Sequence, residues 1–86
     1  MSKNIQKAVV LKYNKEKDRA PKIKAKGKGV VAKNIIKIAK KYDLPIKKDE
    51  DLVELLSKVE MDKEIPQNLY KAVAEVFQFI YKLSKK

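Results

Sequence analysis

Apolar residues in the last quarter of the chain recur with a helical rhythm. Leu69, Val73, Val76, Ile80 and Leu83 are spaced four, three, four and three apart, which places them on one helical face. Tyr70, Phe77 and Tyr81 widen that stripe, and Pro66 suits a first helical turn. The pattern predicts a helix over 66–86 and makes it the longest apolar surface available to a core. Leu52, Leu55, Leu56 and Val59 repeat the rhythm over a shorter stretch, started by the acidic run Asp49, Glu50 and Asp51, which suits a helix N-terminus. A third helix is predicted over Val30 to Tyr42, with Val31, Ile35, Ile38 and Tyr42 buried and Ile36 and Ala39 alongside. Lys33, Lys37, Lys40 and Lys41 cover its remaining surface, and Asp43 is its stop.

Elsewhere the period shortens. Ala8-Val9-Val10-Leu11, closed by Lys12-Tyr13, is a short β-branched apolar run that predicts a buried strand. Lys22 to Lys26 alternates, which predicts a half-exposed strand with Ile23 and Ala25 on one face and three lysines on the other. Leu44-Pro45-Ile46 reads as a short edge strand, because proline cannot donate to a ladder. Gly27-Lys28-Gly29 breaks the second strand. A glycine–lysine loop before a helix could hold phosphate, but the full phosphate-loop spacing is missing, so a plain turn is the expectation. Strands and helices together predict a small α/β or α+β domain over 8–86, preceded by a flexible segment over 1–7.

Charge changes this picture more than length does. The 86 residues carry a net charge of +11. Through Lys48 there are 16 basic and 3 acidic residues, a net of +13; from Asp49 onward there are 6 basic and 8 acidic, a net of −2. Such asymmetry fits nucleic acid, an anionic membrane surface or an acidic protein partner. A solvated lysine-rich surface gives the same numbers, and 21 of the 22 basic residues are lysine. Near-absence of arginine argues against base readout in nucleic acid.

Candidate chemistry is thin. Neither cysteine nor histidine occurs, which removes disulfides, thiolate nucleophiles and the commonest general base and metal ligand. No calcium-loop spacing is present, and Ser2, Ser57 and Ser84 have no evident base. No catalytic residue, cofactor or metal is therefore expected. No apolar run approaches the length of a membrane span and no signal-peptide pattern opens the chain, so a cytoplasmic protein is expected.

Three stretches, taken in order, resemble a known family. They are Ala8-Val9-Val10-Leu11-Lys12-Tyr13; Ala20-Pro21 with Ala25-Lys26-Gly27-Lys28; and Glu64-Ile65-Pro66 with Leu69-Tyr70-Lys71-Ala72-Val73-Ala74-Glu75-Val76. Together they resemble the C-terminal cytoplasmic domain of FlhB, the export-switch protein of flagellar type III secretion, and of its injectisome relatives, over about Lys7 to Leu83. The resemblance implies a sheet of three to four strands packed by about three helices. In that family the domain cleaves itself between Asn and Pro of an Asn-Pro-Thr-His motif. Those positions here are Lys3, Asn4, Ile5 and Gln6, and none matches; Asn4 sits one position late and precedes Ile5. No self-cleavage is therefore expected. The chain looks like the fragment on the C-terminal side of the cut, standing alone, with an open edge beside Ala8–Tyr13 where the family's preceding strand is missing.

The resemblance also implies an apolar patch for export substrates at Ala20, Pro21, Ala74 and Phe77. Ala74 and Phe77 could equally be ordinary core. The implied partners are components or substrates of the flagellar or type III export apparatus. A second candidate surface, Lys33, Lys37, Lys40 and Lys41, would meet acidic parts of a membrane-embedded export gate or lipid headgroups. A sequence-independent nucleic-acid-binding module is the alternative function.

Overall fold

The computed structural model describes residues 5–14 and 16–84, with side chains as far as Lys82. Two strands, β1 (Lys7–Lys12) and β2 (Lys22–Lys28), pair antiparallel. Three helices follow: α1 (Val30–Lys41), α2 (Glu50–Leu56) and α3 (Tyr70–Ser84), the last entered through a 3-10 turn over Gln67–Leu69. The mixed α+β class follows the sequence pattern. The sheet has two strands among the described residues, fewer than the three to four expected, plus a single bridge between Lys22 and Glu64.

Strand pairing explains the two-sided core. Val10 opposes Ala25 and Leu11 opposes Ile23, so Lys24 has no partner and forms a bulge. A bulge reverses the alternation beyond it. Ile23 and Ala25 therefore face opposite ways, not one way as the alternation predicts. Ile23 is fully buried and joins Ala20, Leu52, Leu56, Ile65, Leu69 and Val73, with Val9 and Leu11 against them. Lys26 falls on this same side. Its stem is half-buried, and its Nζ donates to the carbonyls of Ser57 and Val59 at 2.9 and 2.7 Å, just past α2. The other face carries Ala8 and Gly27, which oppose each other. A Cβ on Gly27 would overlap Val31 Cγ1 and lie 3.3 Å from Ile35 Cδ1, so α1 rests directly on this backbone.

That close approach decides which side of α1 is buried. Ala32 is fully buried and Ile35, Ile36 and Ala39 are half-buried. Val31, Ile38 and Tyr42, expected inside, stand 54%, 54% and 66% exposed. The apolar arc of α1 is wider than its contact with the sheet, which Val31 and Ile35 reach over Gly27 and in which Ala32 is the fully buried residue. Gly29 makes the turn into α1 with φ of 61°, and its N–H donates to the Gln6 carbonyl at 2.8 Å. β2 runs through Gly27 and Lys28, so the turn is confined to Gly29. Lys7 belongs to β1, one residue earlier than the expected domain start.

At its far end α1 closes as expected at Asp43. Asp43 adopts φ of 57°, and its N–H donates to Lys40 while that of Leu44 donates to Ala39, a Schellman closure. Leu44-Pro45-Ile46 is not a strand. Leu44 completes the helix cap, and the segment then runs toward α3, where Lys47 Nζ sits 5.6 Å from the Phe79 ring centre.

α2 is capped by Asp49, whose Oδ1 accepts from the Leu52 N–H at 3.1 Å. Leu52 and Leu56 are buried and Val59 packs against them, while Leu55 is exposed, contrary to the four-residue stripe expected. A helix of seven residues has room for one inward ridge. In the final stretch Pro66 precedes the 3-10 turn rather than opening an α-helix. Leu69 and Val73 are buried, and Val76 and Ile80 are half-buried; the Leu83 side chain lies outside the described residues. Tyr70 and Tyr81, expected to widen the stripe, are exposed.

Candidate apolar docking site

The four patch residues lie around the end of the sheet that α3 covers. The chain reaches them through an ordered turn: the Asn14 carbonyl accepts from the Lys17 and Asp18 N–H groups, and Asp18 Oδ2 accepts from the Asn14 N–H at 2.9 Å. This turn delivers Ala20 into the core, 2% exposed. Pro21 is half-buried, and its carbonyl accepts from the Ile65 N–H at 3.0 Å. The Ile23 N–H donates to the Lys63 carbonyl, and the Ile23 carbonyl accepts from the Asp62 N–H. These bonds lash the start of β2 to the segment that leads into α3.

Phe77 is half-buried and packs against the cluster that contains Ala20. Ala74, one turn earlier on α3, is exposed. The structure thus brings Ala20 and Phe77 to one cluster, with Pro21 at its edge and Ala74 on the outer surface of the same helix. Ala20 is too buried to touch a partner directly; it supports the surface that Pro21, Ala74 and Phe77 present. Tyr13 belongs with them and was missed by the sequence reading. Its ring lies 5.8 Å from that of Phe77, tilted by 48°, and is itself exposed.

Of the former cleavage-motif positions, Lys3 and Asn4 lie outside the described residues. Ile5 is 52% exposed and Gln6 is exposed with its carbonyl tied to Gly29. Lys33, Lys37, Lys40 and Lys41 are all exposed on α1. Lys33, Lys37 and Lys40 line a shallow depression with Gln6 and Ile36.

Among the described residues no charged or polar residue is buried. Glu54 is held below the usual carboxylate range by its hydrogen bond to Lys7 Nζ at 2.6 Å, and then by that ammonium's charge. Among the described residues no helix is long and apolar enough to cross a membrane.

Known proteins share this architecture. The FlhB HrpN YscU SpaS family matches residues 5–80. The uncharacterized protein YlqH of Bacillus subtilis is 54% identical over 94% of this chain and 87% of its own length. The flagellar biosynthetic protein FlhB of Aquifex aeolicus is 45% identical over 92% of this chain, which spans only 23% of that protein. Among solved structures, the cytoplasmic domain of FlhB from Shewanella putrefaciens superposes with a TM-score of 0.84 at 32% identity, covering 90% of this chain and 60% of that one. The PscU C-terminal domain gives 0.80 at 25% identity, over 86% and 95%. The chain belongs to the FlhB HrpN YscU SpaS family, and its fold is that of the family's C-terminal cytoplasmic domain.

Proposed function

We propose that this protein is a non-catalytic interaction module of flagellar or type III protein export, acting as the C-terminal part of FlhB acts in choosing export substrates. The observation that carries this reading is the Phe77 cluster. Ala20 lies in the core cluster that Phe77 packs against, and the Phe77 ring pairs with Tyr13 beside the position the resemblance assigns to substrates. Its partners are export-apparatus components or export substrates, met in the cytoplasm at the inner face of the membrane that holds the export gate. The chain does not cleave itself, because Lys3-Asn4-Ile5-Gln6 offers no Asn-Pro bond. An intact mass that stays at 9.9 kDa through long incubation at neutral to alkaline pH checks this; a smaller C-terminal product would refute it.

An amide NMR titration with the N-terminal segment of a rod- or hook-type export substrate tests docking, with duplex DNA as control. Shifts clustered on Tyr13, Pro21, Ala74 and Phe77 are expected. An absence of substrate shifts, with broad salt-sensitive shifts on the α1 lysines under DNA, would replace the reading with nucleic-acid binding.

A further inference from the structure

Helix α1 has more apolar surface than the sheet uses. Val31, Ile38 and Tyr42 are seven and four residues apart, hence on one helical face. All three are more than half exposed, Val31 with only its inner side against Gly27, and Leu44, just beyond the helix, is 53% exposed. They form a strip one side chain wide and about 16 Å long at the helical rise. Beside it run Lys37 and Lys41, one turn apart, and Lys41 Nζ lies 5.8 Å from the Tyr42 ring centre. No acidic residue occurs in α1. The two ion pairs among the described residues, Lys7–Glu54 and Lys24–Asp62, lie elsewhere.

We infer that this strip is a docking site for an acidic amphipathic helix of a partner protein. Such a helix would lay its apolar ridge on Val31, Ile38 and Tyr42 and its carboxylates against Lys37 and Lys41, the helix-on-helix form of groove recognition. Charge complementarity and shape select this occupant. The strip is three helical turns long, which matches one ridge of one helix. A second copy is a poor fit, since α1 against α1 would oppose two lysine ridges, and the acid-rich α2 is only seven residues long. A lipid surface is also a poor fit. It needs a broad apolar face, and Ala32, Ile35, Ile36 and Ala39, which would supply it, are turned toward the sheet. The site lies on the opposite face of the sheet from the Phe77 cluster, so it stands or falls independently of substrate docking there.

The probe is a synthetic 14-residue peptide with leucines at helical spacing and glutamates flanking them, followed by amide NMR and by fluorescence anisotropy at 50 and 200 mM salt. A same-composition scrambled peptide is the control. Shifts centred on Val31, Ile38 and Tyr42 are expected, with weaker binding at the higher salt. Ile38→Ser and Tyr42→Ser should each weaken binding about fivefold to tenfold, and K37E with K41E should abolish it. K71E, on α3, should leave it unchanged. Unperturbed spectra elsewhere in each variant show that the fold is kept. Equal binding of the scrambled peptide, or no binding, overturns the inference. Tyr42-dependent binding to phosphatidylglycerol vesicles without peptide binding would assign the strip to lipid. Concentration-dependent dimerisation lost in Tyr42→Ser would assign it to a second copy. Either result overturns the inference.

Discussion

The two faces of the small sheet are held by different means. Under α2 and α3 lie Ile23, Leu52, Leu56, Ile65, Leu69 and Val73, large aliphatic side chains in one cluster. Polar ties reinforce them: Lys26 to the carbonyls past α2, Lys7 to Glu54, and the Asp49 cap. Under α1 the buried residues are small, Ala8 and Ala32, and the Val31 and Ile35 side chains lie directly over the bare backbone of Gly27. The first face gains stability from area removed from water. The second gains it from close packing, and it leaves part of its helix uncovered. One sheet thus carries a thick core and a thin one, and on the thin side Val31, Ile38 and Tyr42 stay more than half exposed.

Truncation should expose this difference most strongly. Ile23→Ala removes a fully buried side chain from the thick face and should cost about 2–5 kcal/mol, read from urea unfolding. Val31→Ala, on the thin face and half exposed, should cost far less. Comparable losses would break the comparison. Enlargement should reverse the ranking. Gly27→Val sets a branched side chain against Val31 and Ile35, and overpacking of this kind costs about 1–3 kcal/mol. Adding Val31→Ala should restore part of that loss, whereas a neutral Gly27→Val would mean that α1 is not tightly seated.

A smaller effect is expected at the cap. Asp49→Ala leaves the Leu52 N–H without its acceptor and should cost about 1 kcal/mol, while Asp49→Asn keeps most of it. The smallest belongs to Lys7–Glu54. Glu54 has a folded-state pKa below its unfolded one, so its contribution is present above the unfolded value and is lost as pH falls through the folded value. Carboxyl NMR titration should show Glu54 titrating low in the wild type and returning to the ordinary range in Lys7→Ala. The pair is exposed, so its effect on unfolding should be barely measurable.

Helix existence was legible because a 3.6-residue rhythm survives any tertiary arrangement. α1 ended where Asp43 said it would, and α2 began at Asp49. The turn into α1 was partly legible: the break was expected over Gly27-Lys28-Gly29, and Gly29 alone makes it. The candidate patch was only half legible. The resemblance named Ala20 and Phe77, whereas Tyr13 entered only through its ring contact with Phe77, which joins the end of β1 to α3.

Local chemistry in the chain determined its elements, their caps, the charge imbalance and the family. Those depend on neighbours three or four positions away and on composition. Only the tertiary structure decided which part of each apolar arc is buried. The bulge at Lys24 sent Ile23 and Ala25 to opposite faces, and the bare backbone at Gly27 seated α1 through Val31 and Ile35, leaving Ile38 and Tyr42 exposed. Leu44-Pro45-Ile46 had the residues of an edge strand, but the helix cap took its first residue. Periodicity fixes a direction around a helix only to within the width of its apolar arc. The surface it meets selects the rest.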